Sequence, residues 1–92
     1  MYSDVRATRL TASGSVFAGP ARVKKIHYLA GAAAGTITVR DGGASGTVLA
    51  VIDTPADAAV ALDVGIPENG LRCETSAYVA FDNAVAVTVF YA

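Results

Sequence analysis

The feature that most constrains this chain is an alternation of apolar and polar residues with a period of two. It runs from Leu71 to Phe81 and resumes from Val85 to Tyr91. Successive side chains of a β-strand point to opposite faces, so this alternation predicts half-buried strands. No segment combines a helical period with helix caps. The sequence therefore predicts an all-β fold.

The phase of these two runs divides their residues into an inward and an outward set. The inward set is Leu71, Cys73, Thr75, Ala77, Val79 and Phe81 in the first run, and Val85, Val87, Val89 and Tyr91 in the second. Tyr78 and Phe90 fall on the outward side. Between the runs, "FDNAV" predicts a tight hairpin turn, because Asp82 and Asn83 tolerate the backbone angles of such turns.

The segment "ARVKKIHYLAG" is rich in strand formers, but its alternation changes phase. Its apolar residues are Val23 in one phase and Ile26, Tyr28 and Ala30 in the other. A β-bulge inserts one extra residue and shifts the phase by one. We therefore predict a bulge at Lys24 and Lys25 that turns all these apolar residues inward.

The motif "DGGASG" separates two apolar runs, "GTITVRDG" and "TVLAVIDT". A phosphate-binding glycine loop opens a helix, whereas a strand pattern follows this motif. We interpret the motif as a turn, with its glycines at positive φ and Asp41 bonding its own backbone. The second run is apolar on both faces, which is typical of a strand that is covered on both sides or lies at an interface.

Together these runs predict about seven or eight short strands separated by Gly, Pro, Asp and Asn. The pattern is typical of a two-sheet antiparallel β-sandwich or jelly roll. A chain of 92 residues forms one domain. We predict a single β-sandwich domain over 13–92, preceded by an N-terminal arm or a weak first strand over 1–12.

Charge is scarce in this chain, which favours a protein surface as its partner. Charged residues make up 16% of the sequence, against about 25% in an average soluble domain. Protein interfaces are depleted in charge at their centres. A net charge of -1 argues against a nucleic-acid partner. The one basic cluster, formed by Arg22, Lys24 and Lys25, is interpreted as the solvated face of a strand that an acidic partner surface could use.

The chain lacks the motifs of catalysis, metal binding and membrane insertion. His27 is the only histidine and Cys73 the only cysteine, which leaves no zinc cluster and no internal disulfide. The predicted phases put these two side chains on opposite faces, so they do not pair for nucleophilic catalysis.

No apolar run approaches the roughly 20 residues of a membrane-spanning helix. We expect no catalytic residue, no metal, no cofactor and no membrane partner. The charged N-terminus and unpaired cysteine predict synthesis in a cytoplasm.

The order of turns and strands resembles that of small virion proteins of tailed bacteriophages. The resemblance covers 19–92 and lies in "GPARVKKIHYLAG", "GTITVRDGGASGTVLA", "LDVGIPENGLRCETSAYVAF" and the last strand "AVAVTVFYA". It implies a capsid decoration (cement) protein: a β-rich module, often a homotrimer, that binds the major capsid protein on the outside of the head. It carries over no individual functional residue. The expected location is the capsid exterior of the virion, after synthesis in the host cytoplasm.

Under this hypothesis a set of outward or unusually apolar residues forms the contacts. The set is Tyr78, Phe90, Val48, Leu49, Val51, Lys24 and Lys25, with residues 1–10 as a tether. Two alternatives remain open. One is a neck or tail component, which predicts six- or twelvefold assembly. The other is a small carbohydrate-binding module for host attachment, with Asp82 and Asn83 beside Tyr78 or Phe81 at a loop end.

Overall fold

The computed structural model of the chain describes residues 5–56, 60–66 and 70–92. These residues form nine β-strands and no helix. In chain order the strands are β1 (Arg6–Leu10), β2 (Gly14–Phe17), β3 (Ala21–Ala30), β4 (Gly35–Asp41), β5 (Thr47–Thr54), β6 (Ala61–Gly65), β7 (Leu71–Cys73), β8 (Ala77–Phe81) and β9 (Ala84–Tyr91). The all-β class predicted from the alternation is confirmed.

The strands form two antiparallel sheets. Sheet A has the order β1-β9-β3-β6, and β7 pairs with the part of β3 that precedes its pairing with β6. Sheet B has the order β2-β8-β4-β5. The buried side chains of both sheets form one hydrophobic cluster. The predicted two-sheet antiparallel sandwich is therefore confirmed.

Both sheets contribute β-branched side chains to this core. Ile26, Val87 and Val89 of sheet A and Ile37 and Val79 of sheet B are completely buried. Each such side chain contributes roughly 1.5–3 kcal/mol when it is removed from water. Four of the five, Ile26, Val79, Val87 and Val89, lie at positions that the sequence analysis predicted to face inward.

The bulge predicted in the third strand is present. In the pairing of β3 with β9, Val23 lies opposite Tyr91 and Lys25 lies opposite Phe90, so Lys24 is the extra residue. The residues that this shift turns inward are all buried, namely Val23, Ile26, Tyr28 and Ala30.

The alternating run from Leu71 to Phe81 is not a single strand. The run is divided between β7 in sheet A and β8 in sheet B. Residues 74–76 cross between the sheets, and Thr75, which was expected to face inward, is exposed. Cys73 and Ala77 both point into the core. Their positions in the chain differ by four, an even number, so the crossing leaves the phase unchanged and the alternation cannot reveal it.

The predicted hairpin at "FDNAV" is also wrong. β8 lies in sheet B and β9 in sheet A, so this turn connects the two sheets. Asn83 adopts a φ of 57°, in line with the tolerance of Asn for that region. The turn is held to the start of β4, because Asp82 Oδ1 accepts the N–H of Thr36 at 2.7 Å and Asn83 Nδ2 donates to the carbonyl of Ala34 at 3.0 Å.

The outward position of Val85 corrects a further prediction. The register of β9 against β3 shifts between the pairs Leu29–Ala86 and Ala30–Ala84, which makes Val85 a bulged residue. It was expected to face inward, and it is 53% exposed. A bulge moves the side chains before it to the other phase, and nothing in the alternation of β9 marks its place.

The turn interpretation of "DGGASG" is confirmed, since it joins the paired strands β4 and β5. Gly42 and Gly43 have φ values of 101° and 102°, and the N–H of Gly46 donates to the carbonyl of Gly43. The expectation that Asp41 bonds its own turn is wrong. Its carboxylate accepts the N–H groups of residues 74–76 at 3.0, 2.9 and 3.3 Å, and so ties this hairpin to the β7–β8 crossing.

The weak first strand expected within 1–12 is present as β1, which pairs with β9 in sheet A, so residues 6–10 are part of a sheet and not a tether. A separate strand, β2, follows it and pairs with β8 in sheet B. This extra strand and the division at 74–76 give nine strands in the described residues, where seven or eight were predicted. Residues 1–4 of the expected tether and 67–69 of "PENG" lie outside the described residues.

Candidate interaction surfaces

The outer side of sheet B is named face B. Its outward side chains are Ser15, Thr36, Thr38, Arg40, Val48, Val51, Asp53, Tyr78 and Ala80. Tyr78 lies opposite Arg40, which in turn lies opposite Val48 on the next strand. Directly opposite residues share a face of the sheet, so these three side chains form one row across it.

The edge strand β5 accounts for most of the apolar exposure on face B. Val48 is 46% and Val51 58% exposed. Both are outward because the register of β5 shifts between the pairs Val39–Ala50 and Arg40–Val48. Leu49, at that shift, packs against the core. The hypothesis that this strand makes contacts with a partner therefore applies to Val48 and Val51 and not to Leu49.

Face B carries little charge. Its described ionisable side chains are Arg40, Asp53 and Tyr78. The guanidinium of Arg40 donates to the carbonyl of Gly46 at 2.9 Å. Small side chains, hydroxyls and valines make up the rest, so a partner covering this face would bury few charges.

The outer side of sheet A is named face A. Its outward side chains are Ala7, Arg9, Arg22, Lys24, Lys25, His27, Leu29, Ala61, Asp63, Arg72, Ala86, Thr88 and Phe90. Lys24 and Lys25 are both on this side, because Val23 before them and Ile26 after them point into the core. Phe90 lies directly opposite Lys25.

Basic residues are concentrated in sheet A. Of the seven lysines and arginines in the chain, two lie in β1, three in β3 and one in β7, whereas Arg40 alone lies in sheet B. Arg22 and Arg72 are direct cross-strand neighbours. The molecule thus has one outer face rich in cations and one on which the described charged side chains are Arg40 and Asp53.

A hydrogen-bonded pair, His27 and Asp63, lies in the middle of face A. His27 Nδ1 is 2.6 Å from Asp63 Oδ1, and Lys25 Nζ is 3.7 Å from Asp63 Oδ2. The hydrogen bond with His27 lowers the pKa of Asp63. A shallow depression of about 280 Å³ adjoins the imidazole and is lined by Arg9, His27, Leu29, Ala61, Ala86 and Thr88. The pair is open to solvent, with about half of each side chain exposed.

The geometry of Cys73 does not suit nucleophilic chemistry. Its side chain lies in the core, opposite Ala21. Burial raises the pKa of its thiol, which disfavours the reactive thiolate. His27 points away from the core on the other side of sheet A, so the two side chains are separated by the sheet.

At the loop end that a sugar-binding site would use, several polar atoms are engaged in hydrogen bonds within the chain. Beside it is a depression of about 200 Å³ lined by Ser13, Thr36, Thr38, Ala80, Phe81 and Asp82. Ser13 Oγ bonds the backbone of Phe81, and Asp82 Oδ1 accepts from Thr36. Tyr78 stands at the other end of β8 from Asp82.

The residues predicted to make contacts are divided between the two faces. Face B holds Tyr78, Val48 and Val51, whereas face A holds Phe90, Lys24 and Lys25, and Leu49 lies at the core. Asp63, Arg72 and Arg9 are also members of face A, and they were not predicted as contact residues. The alternation puts Asp63 and Arg72 on the outward side of their strands, but only the pairing of β6 and β7 with β3 shows which residues lie next to them.

Within the described ranges, no cluster of three His, Cys, Asp or Glu side chains could hold a metal ion. The same residues contain no helix of the length and hydrophobicity that a membrane crossing requires. Compared with protein-family models, curated proteins and solved structures, the chain matches none.

Proposed function

We propose that this chain is a non-enzymatic structural protein of a tailed bacteriophage, a capsid decoration protein that binds the outer surface of the head and stabilises contacts between coat subunits. The observation that carries the proposal is the partly apolar face B, whose two described charged side chains, Arg40 and Asp53, are of opposite sign. The sequence resemblance supplies the phage context, and the face supplies a surface suited to assembly.

Self-association through face B is part of the proposal. Val48 and Val51 are exposed on the same face as the half-buried Tyr78, and Arg40 lies between Tyr78 and Val48. Tyrosine is enriched at protein interfaces, where its ring adds contact area and its hydroxyl finds a partner. Covering the valines removes apolar surface from water, which stabilises an assembly by about 25 cal/mol per Å². We propose a homotrimer, as the resemblance implies.

Repetition on a lattice would make modest contacts effective. Once such a module binds one coat subunit or one copy of itself, its remaining contacts form at a high effective concentration. Weak individual contacts therefore combine into stable binding. Each broad side of the sandwich measures about 35 by 34 Å, which is enough for the roughly 800 Å² that a standard interface buries on each partner.

The alternatives receive less support from the geometry. The carbohydrate-binding hypothesis needs free polar atoms beside an exposed aromatic ring, whereas Asp82 Oδ1 and Asn83 Nδ2 hold the start of β4. The neck or tail hypothesis remains distinguishable by its six- or twelvefold assembly.

The direct experiment is co-sedimentation of the purified protein with expanded heads assembled from the coat protein encoded in the same genome. We expect saturable binding and a higher temperature of head disruption. No binding to such heads would contradict the proposal.

Light scattering on a sizing column tests the assembly. We expect a mass of three times the 9.3 kDa chain, reduced by the double change Tyr78→Ala and Val51→Ala. Val85→Ala is the matched control, because Val85 is 53% exposed but lies outside face B. A wild-type mass of six or twelve chains would favour the neck or tail alternative.

A further inference from the structure

We infer that face A is the surface that docks on the head, and that its partner there is an acidic patch on the coat protein. This inference rests on the proposed function and adds which side of the sandwich binds and by what chemistry. Face B then remains available for contacts between copies of this chain.

The cations of face A exceed the carboxylates that accompany them. Among the described residues, Lys25 pairs with Asp63 at 3.7 Å and Arg72 with Glu74 at 3.8 Å. In the same part of the chain, Arg9, Arg22 and Lys24 have no acidic partner. Three positive charges are therefore left for a partner to neutralise.

The position of two arginines strengthens this argument. Arg22 and Arg72 lie directly opposite each other on β3 and β7. Like charges in this arrangement destabilise a sheet, and Glu74 pairs with only one of the two. A carboxylate from outside can bond both guanidinium groups, since their planar array of donors matches its two oxygens.

The shape of the patch suits a protein surface. From Arg22 to His27, β3 extends about 17 Å, and Phe90 provides an apolar contact within it, opposite Lys25. Interfaces of this kind combine a few charged pairs with aromatic anchors. Charge complementarity would steer the module to the head and fix its orientation.

Nucleic acid and anionic membrane fit the patch less well. Asp63 and Glu74 lie among its cations. A protein surface carries both signs of charge and can pair with these carboxylates, whereas a phosphate array repels them. The whole chain also has a net charge of -1, unlike the basic domains that bind phosphate backbones.

The test compares two double variants in binding to the assembled heads. R22Q/K24Q removes two unpaired cations from face A. A44E/S45E makes the same change in net charge at two exposed positions of the β4–β5 loop that belong to neither face. We expect R22Q/K24Q to raise the half-saturation concentration about tenfold, and A44E/S45E to leave it unchanged. Wild-type binding is expected to weaken as sodium chloride rises from about 50 to about 500 mM.

The outcomes separate this inference from the proposed function. If the wild type binds heads and R22Q/K24Q binds equally well, the inference is overturned and the proposed function stands. If the wild type does not bind heads, both are overturned. Parallel titrations use a DNA duplex and phosphatidylserine vesicles. Binding to either one that R22Q/K24Q abolishes, with head binding intact, would assign face A to a phosphate ligand and overturn the inference.

Discussion

At the scale of single residues, Asp41 connects two distant parts of the chain. Its carboxylate accepts three backbone N–H groups from residues 74–76. These donors lie where the chain leaves sheet A, so no strand neighbour satisfies them. Hydrogen bonds from Thr75 and Glu74 lower the pKa of Asp41 below its usual value of 3.8. Asp41 is thus a structural residue of the sandwich.

The lowered pKa predicts how stability depends on pH. Because the folded-state pKa of Asp41 lies below the unfolded value, the carboxylate contributes stability that is present above the unfolded pKa and is lost as the pH falls through the folded one. We expect Asp41→Asn to lower the midpoint of urea unfolding at neutral pH. The variant should also lose less stability than the wild type between about pH 5 and about pH 2.

Asp53→Asn is the control for this prediction, because Asp53 is an exposed aspartate on β5. The measurement is urea unfolding followed by circular dichroism at both ends of the pH range. An Asp41→Asn variant that unfolds like Asp53→Asn would contradict the structural role.

At the scale of elements, the start of β4 packs against the β8–β9 connection with no space for a side chain. A Cβ on Gly35 would collide with the carbonyl oxygen of Asp82 and approach its Oδ1 to 2.7 Å. Asp82 Oδ1 also accepts a hydrogen bond from the N–H of Thr36. The connection between the sheets therefore requires glycine at this point.

We predict that Gly35→Ala destabilises the fold by about 1–3 kcal/mol, because overpacking forces the backbone of one element to shift. Gly65→Ala is the matched control, since a Cβ there meets nothing within 4 Å. Urea unfolding of both variants provides the measurement. Equal stability of the two would show that the junction relaxes without cost.

The strands also show which structural features the alternation could predict and which it could not. It correctly predicted the β3 bulge, because an insertion in β3 changes the phase of its apolar residues. It could not show the crossing at 74–76, which preserves the phase. It also misplaced Val85, whose bulge lies at the start of the run. The local alternation shows which side of a strand is apolar. It does not show to which sheet the strand belongs, because that depends on the strands with which it pairs.

At the scale of the whole molecule, one core lies between the two sheets, and Cys73 is part of it. Its thiol becomes accessible only when the sheets separate. We predict that native Cys73 reacts with a thiol reagent at least about a thousandfold more slowly than in the unfolded chain.

Labelling of the native protein over a series of urea concentrations measures this protection. The control is Ala44→Cys in a Cys73→Ser background, since Ala44 is exposed in the β4–β5 turn. Rapid labelling of native Cys73 would mean that β7 opens independently of the core.

The sequence by itself determined the fold class, the inward and outward sides of most strands, the β3 bulge and the turn at "DGGASG". Each follows from side-chain period or local backbone preference, which neighbouring residues set. Only the tertiary structure decided that Tyr78 and Phe90 point in opposite directions, that His27 meets Asp63 and that Arg22 lies beside Arg72. His27 and Asp63 are 36 residues apart in the chain. Contacts of that kind depend on which distant strands pair. That pairing is decided by the hydrophobic core that the two sheets bury together, and no local sequence pattern encodes it.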